Sequence, residues 1–89
     1  MSTRVDTATN VETHAYTTAD LGRAIRKYRR RRGWTQAELA EWLRVSRATV
    51  VALERGGPVS VAIAMGALTL LGAKVVIVPK DADPSASAR

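Results

Sequence analysis

An all-α domain of four to five short helices, ending in a short β-strand that pairs across a homodimer, is predicted by three features of the sequence. Apolar residues recur at i, i+3, i+4 and i+7 behind hydroxyl residues suited to helix starts. Glycines and a proline, at Gly33 and at Gly56-Gly57-Pro58, stand where those periodic runs stop. Near the end, Val75-Val76-Ile77-Val78 is a β-branched run ahead of Pro79, and no second strand of that kind occurs in the chain.

The 89 residues fit one small domain with tails, and 46% are hydrophobic. So short a chain buries little surface by itself and gains from a disulfide, a metal or a second copy. There is no cysteine and one histidine, His14. Disulfides, thiolate metal sites, thiol nucleophiles and His-rich metal sites are therefore excluded. No cofactor or metal is expected, and no constellation of residues supports an enzyme. The first twenty residues are polar, so no secretory signal is expected. The longest uncharged run, from Gly56 to Ala73, is interrupted by glycines, a proline and a serine. A buried helix explains it better than a membrane span, and the expected compartment is the cytoplasm.

The net charge is +6, from 14 Lys and Arg against 8 Asp and Glu, with a pI near 10.8. Between Leu21 and Arg55 stand ten basic and three acidic residues. The basic character thus belongs to one segment, which points to a polyanion as partner.

Residues 1–16 are Thr-rich and aperiodic, and read as a flexible arm that includes His14 as a solvated residue. Thr17 and Asp20 have capping-box spacing for a helix beginning near Thr18, with Leu21, Ala24, Ile25 and Tyr28 on its apolar face. Arg29 to Arg32 close it ahead of Gly33, where cations suit the macrodipole. Thr35 and Glu38 cap a second helix whose inner face is Leu39, Ala40 and Leu43. Ser46 caps a third, with Val50 and Leu53 inward. Ser60 caps a fourth that runs to about Leu71. Val61, Ala64, Leu68 and Leu71 form one stripe of the fourth helix; Ile63, Ala67 and Leu70 form another. A helix apolar nearly all round must be covered nearly all round, and its second side asks for another chain. The lone strand makes the same demand. The domain proper is therefore read as residues 17–72, the dimerisation strand as 73–79 with Val75, Val76, Ile77 and Val78 at its heart, and 80–89 as a disordered tail.

Two short helices joined by a tight turn occupy Trp34 to Gly56. Ala40 is small where they cross, and Val45 and Val50 are apolar where their angle must be held. This is the plan of a helix-turn-helix, whose second helix enters a major groove of double-stranded DNA. Thr35-Gln36-Ala37-Glu38-Leu39-Ala40, Val45-Ser46-Arg47-Ala48-Thr49-Val50 and Leu53-Glu54-Arg55-Gly56 together resemble the Xre family of lambda-repressor-like helix-turn-helix domains. The resemblance runs from about Leu21 to Leu71.

It implies that Gln36 bonds a phosphate and braces the recognition helix, and that Glu54 pairs with Arg29. Residues 46–49 begin that helix. Arg47 is the best candidate reader, since its fork can donate twice to guanine O6 and N7. Ala48 suits a thymine methyl or is there for helix propensity. Ser46 is a cap, a phosphate contact, or both, and Thr49 can likewise donate to phosphate. Val51 and Ala52 depart from the family, where polar readers often stand, so shape and apolar contact gain weight. Arg44 departs too, replacing a turn glycine, though its charge can face phosphate. Some of the Arg29–Arg32 run is expected on phosphate rather than merely solvated. The candidate DNA-binding set is Thr35, Gln36, Arg44, Ser46, Arg47, Ala48, Thr49 and Val51, with Arg31 and Arg32. Trp34 and Trp42 are read as packing residues, and Glu38 and Glu41 as solvated.

A helix-turn-helix followed by one helix and a terminal hydrophobic strand is similar to the HipB-type antitoxins, as are Tyr16-Thr17-Thr18 and Gly33-Trp34-Thr35-Gln36. That likeness implies a dimeric repressor of its own toxin–antitoxin operon, bound to an inverted-repeat operator and to a HipA-like kinase toxin. A stand-alone Xre-type repressor, a module that inhibits a partner enzyme, and a non-specific architectural DNA binder remain alternative readings.

Overall fold

In a computed structural model of the protein, residues 12–80 are described. They form four helices: α1 (Thr18–Arg31), α2 (Gln36–Leu43), α3 (Arg47–Arg55) and α4 (Val61–Leu70). The expected arm lies outside the described residues over 1–11, and the expected tail over 81–89.

Each helix begins where its side chains can satisfy the free N–H groups of a first turn. Thr17 caps α1 by accepting from the Asp20 N–H. Asp20 reaches one residue further back than a capping box requires and accepts from the Tyr16 N–H at 2.9 Å. That bond, with help from Thr17 and Arg23, holds the Asp20 carboxyl below its ordinary range. At α2 the box is complete, with Thr35 Oγ1 accepting from the Glu38 N–H and Glu38 Oε1 from the Thr35 N–H. Ser46 and Ser60 cap α3 and α4 in the same manner.

The core forms where the four helices converge. Ile25, Leu39, Val50 and the smaller Ala67 are completely enclosed, and Leu53, Ala64, Leu68 and Leu71 are nearly so. Enclosing each of the three largest contributes about 1.5–3 kcal/mol. Helix α3 sits centrally, packed on α1 and α2, while α4 packs on α2. The contact of α1 with α3 is backbone-close. A Cβ on Gly22 would stand 2.5 Å from the carbonyl oxygens of both Leu53 and Glu54. The N-terminal end of α1 is also tied to the end of α3, since Thr18 Oγ1 donates to the Gly56 carbonyl at 2.9 Å.

Two expectations change. On α4 the buried stripe is Ala64, Ala67 and Leu68, continued by the C-cap Leu71, and Val61 is turned outward at 76% exposure. The β-strand expected over 73–79 is not formed: the described residues contain helices and no strand. A strand is defined by the ladder it shares with a neighbour, and a single chain offers 73–79 no neighbour. Val75, Val76, Ile77 and Val78 stand between 46% and 91% exposed. Among the described residues no helix is long and apolar enough to cross a membrane.

Candidate nucleic-acid interface

The turn between α2 and α3 sets the position of everything that follows. Arg44 takes the left-handed conformation, with φ 60° and ψ 43°. It closes α2 with bonds from the Arg44 N–H to the Glu41 carbonyl and from the Val45 N–H to the Ala40 carbonyl. A glycine adopts this backbone without penalty, whereas Arg44 does so against its Cβ. The tight turn expected between the two helices is thus made by an arginine, whose side chain is exposed.

Helix α3 then presents two faces. Val50, Leu53 and Glu54 turn inward. Arg47, Ala48 and Arg55 are exposed, and Val51 is half-buried beside them. One exposed face therefore carries Arg47, Ala48, Val51 and Arg55 at helical spacing. Arg55 was not among the sequence candidates, yet its distance of four residues from Val51 is the signal that places it there. The two hydroxyls at the start of the helix are mutually engaged. Ser46 Oγ accepts from the Thr49 N–H at 3.1 Å and lies 3.0 Å from Thr49 Oγ1.

Beneath this face runs a polar chain that links α1, α2 and α3. Arg29 on α1 donates from Nε to Glu54 Oε2 at 2.5 Å and from Nη2 to Oε1 at 3.1 Å. Its third donor, Nη1, meets the Trp34 carbonyl at 2.7 Å. Both partners are buried, Arg29 at 8% and Glu54 at 6% exposure, so the planar fork meets the carboxylate largely out of water. Glu54 Oε1 also accepts from Gln36 Nε2 at 3.1 Å. On its other side, Gln36 Oε1 accepts from Arg47 Nη2 at 3.4 Å. The orientation of that amide follows from its neighbours: a carboxylate can only accept and a guanidinium can only donate. Gln36 therefore joins a buried ion pair to the one arginine that begins α3. Nothing in the residue spacing pointed to its bond with Glu54, eighteen positions away.

The other candidates are placed as follows. Thr35 spends its hydroxyl and its amide on the α2 cap. Arg31 lies over the Tyr28 ring at 5.5 Å, and Arg32 over the Trp34 ring at 5.4 Å, within cation–π range. Trp34 packs against the core and stacks on Trp42, with centroids 6.2 Å apart and planes 15° from parallel. The structure thus brings together Arg29, Gln36, Arg47 and Glu54, and it holds Arg31 and Arg32, at the C-terminal end of α1, on aromatic rings.

Known proteins agree with this geometry. Residues 20–76 match the helix-turn-helix domain family, which is well over half of the chain. A competence pilus inhibition repressor of Acinetobacter baylyi is 46% identical over 37 residues, covering 42% of this chain and 34% of the repressor. The clp gene regulator ClgR of Corynebacterium glutamicum superposes with a TM-score of 0.60 at 40% identity, over 64% of this chain and 62% of that one. The chain therefore spans about a third of the curated relative that it matches and under two thirds of that ClgR chain. HipB in a complex with an O2 20-mer superposes with a TM-score of 0.71 at 24% identity, over 79% of this chain and 99% of that one. A HipA–HipB–O2–O3 complex gives 0.69 at 23% identity, over 78% and 99%. At that identity the likeness to HipB is one of fold. The family match over residues 20–76 places the chain in the helix-turn-helix domain family, and its fold is shared with HipB.

Proposed function

We propose that the protein is a homodimeric, sequence-specific repressor that binds an inverted-repeat operator in its own promoter, as the antitoxin of a toxin–antitoxin operon. The observation that carries the reading is the exposed face of α3, where Arg47 is held through Gln36 on the buried Arg29–Glu54 pair. A reader held in one pose meets a base edge with less entropy to lose. Two such helices about 34–36 Å apart would enter successive major grooves, and the bound dimer would block polymerase by occupying the promoter.

Dimerisation is supported by the apolar surface that one chain leaves uncovered. Val61 and Met65 on α4 stand outward, as do Val75, Val76, Ile77 and Val78. Strand pairing between two copies would supply the ladder that 73–79 lacks, and a common axis would space the two α3 helices. The antitoxin part, with a HipA-like kinase as partner, is supported by the fold shared with HipB over 99% of that chain, which includes more than the helix-turn-helix. A stand-alone repressor is the second reading. The repressor and regulator that resemble this chain at 46% and 40% identity favour it.

A gel-shift with the chain's own upstream promoter against scrambled duplex of equal length tests the DNA part. Selective retardation that weakens steeply with salt is expected, and equal retardation of both duplexes would reject sequence-specific repression. Removal of residues 75–89 is expected to halve the sedimentation mass. An unchanged mass would reject pairing through that segment. Co-purification with a kinase encoded beside it separates the antitoxin from the stand-alone repressor.

A further inference from the structure

Apart from Arg31 at its C-terminal end, the outer face of α1 takes no part in the site described above. Arg23, Arg26, Lys27, Arg30 and Arg31 line a shallow groove along it, at i, i+3, i+4, i+7 and i+8, which is one side of a helix. Gly22, Ile25 and Arg29 form the opposite side, buried against α3. The carboxylate nearest in sequence is Asp20, which pairs with Arg23. Among the described residues no carboxylate pairs with Arg26, Lys27, Arg30 or Arg31.

The order of layers decides what this face can reach. The reading side of α3 points away from α1, and the cationic side of α1 points away from α3. A duplex seated on Arg47 and Ala48 therefore meets a different side of the molecule from the one that carries Arg26, Lys27 and Arg30. Protein partners are held mainly by aromatic and aliphatic anchors in the centre of an interface, and the five residues lining this groove supply none. Phosphodiester backbones are held by cations alone, through release of condensed counterions. A row of like charges with no apolar anchor fits that chemistry.

We propose that the outer face of α1 is a second phosphate-binding surface, which takes the backbone of another DNA segment while α3 occupies the first. The inference rests on the DNA-binding reading of α3 and extends it. Its consequence is direct passage between duplexes: a bound protein can engage a second duplex before it leaves the first. The same contact lets one protein bridge two segments.

The test uses the full chain, with the upstream promoter duplex on beads and a fluorescent duplex of random sequence in solution. The comparison is a triple variant, Arg26→Gln, Lys27→Gln and Arg30→Gln, which changes exposed residues only and whose folding is checked by circular dichroism and melting. The wild type is expected to capture the fluorescent duplex and to leave the promoter at least about fivefold faster as free duplex is raised to saturation. The triple variant is expected to bind the promoter within about threefold of wild type, to capture no second duplex and to leave at a constant rate. Capture that survives in the variant would assign bridging to the reading faces of two protomers and overturn the inference. So would promoter binding by the wild type with no second duplex captured. Capture of a poly-glutamate peptide instead of the duplex would give the face to an acidic protein, which also overturns it. A wild type that binds neither promoter nor random duplex would instead sink the proposed function itself.

Discussion

Arg29 and Glu54 meet through two parallel hydrogen bonds, at 2.5 and 3.1 Å, with both side chains almost sealed from solvent. The pair joins the last turn of α1 to the end of α3, and Gln36 is fastened to the same carboxylate. A buried pair of this kind is weak evidence for net stability, because each ion loses its hydration. Its clearer effect is positional: α3, Gln36 and through it Arg47 are referred to one rigid point.

Removing one partner is therefore expected to cost more than removing both. Arg29→Ala leaves a carboxylate buried without its fork and should destabilise the fold by about 3–5 kcal/mol in urea denaturation. Arg29→Met with Glu54→Met should recover much of that stability. A single variant that loses less than about 1 kcal/mol would mean that the pair is solvated in solution.

Arg47→Ala is expected to erase about 1–3 kcal/mol of discrimination between promoter and scrambled duplex. Gln36→Leu should reduce the same discrimination through loss of the brace. Combined, the two losses should fall short of their sum, with a coupling of about 0.5–3 kcal/mol in a double-mutant cycle of binding. Additive losses would show that the 3.4 Å contact between these side chains does not operate on DNA.

Gly22→Ala sets helix propensity against packing. In an exposed helix interior the change would stabilise by about 1 kcal/mol. Here the new methyl meets two backbone carbonyls at 2.5 Å, and backbone cannot rotate away as a side chain can. The expected outcome is a net loss of about 1–3 kcal/mol, seen as a lower melting temperature. A rise in melting temperature would show that α1 and α3 are further apart than described.

Arg44→Gly acts in the other direction. The left-handed conformation at φ 60° costs an arginine about 1–2 kcal/mol, so glycine should raise the melting temperature by about 4–8 °C per kcal/mol recovered. Promoter affinity should fall at the same time, with a shallower salt dependence, if the Arg44 charge faces phosphate. An unchanged salt slope would remove Arg44 from the interface.

Local structure was legible because its causes are local. Thr17, Thr35, Ser46 and Ser60 cap through groups three residues ahead, and Gly33 and Gly56 stand past the helix ends in left-handed conformation. The pairing of Arg29 with Glu54 entered only through family resemblance, since a separation of twenty-five residues carries no local signal. For Gln36 the resemblance implied a brace on the recognition helix but not Glu54 as its partner, and the close approach at Gly22 had no signal of either kind.

By itself, then, the order of residues determined four helix starts, the apolar side of each of the first three helices, and a basic segment with an arginine at the head of the third. Hydrogen bonds and steric preferences that act within one turn are enough for that. Only tertiary structure decided that Val61 faces outward, that 73–79 forms no ladder within one chain, and that the cations of α1 divide into one buried brace and an outward row. Those outcomes depend on which surfaces remain available after helices distant in sequence have packed, and packing is a property of the whole assembly of side chains rather than of any short stretch.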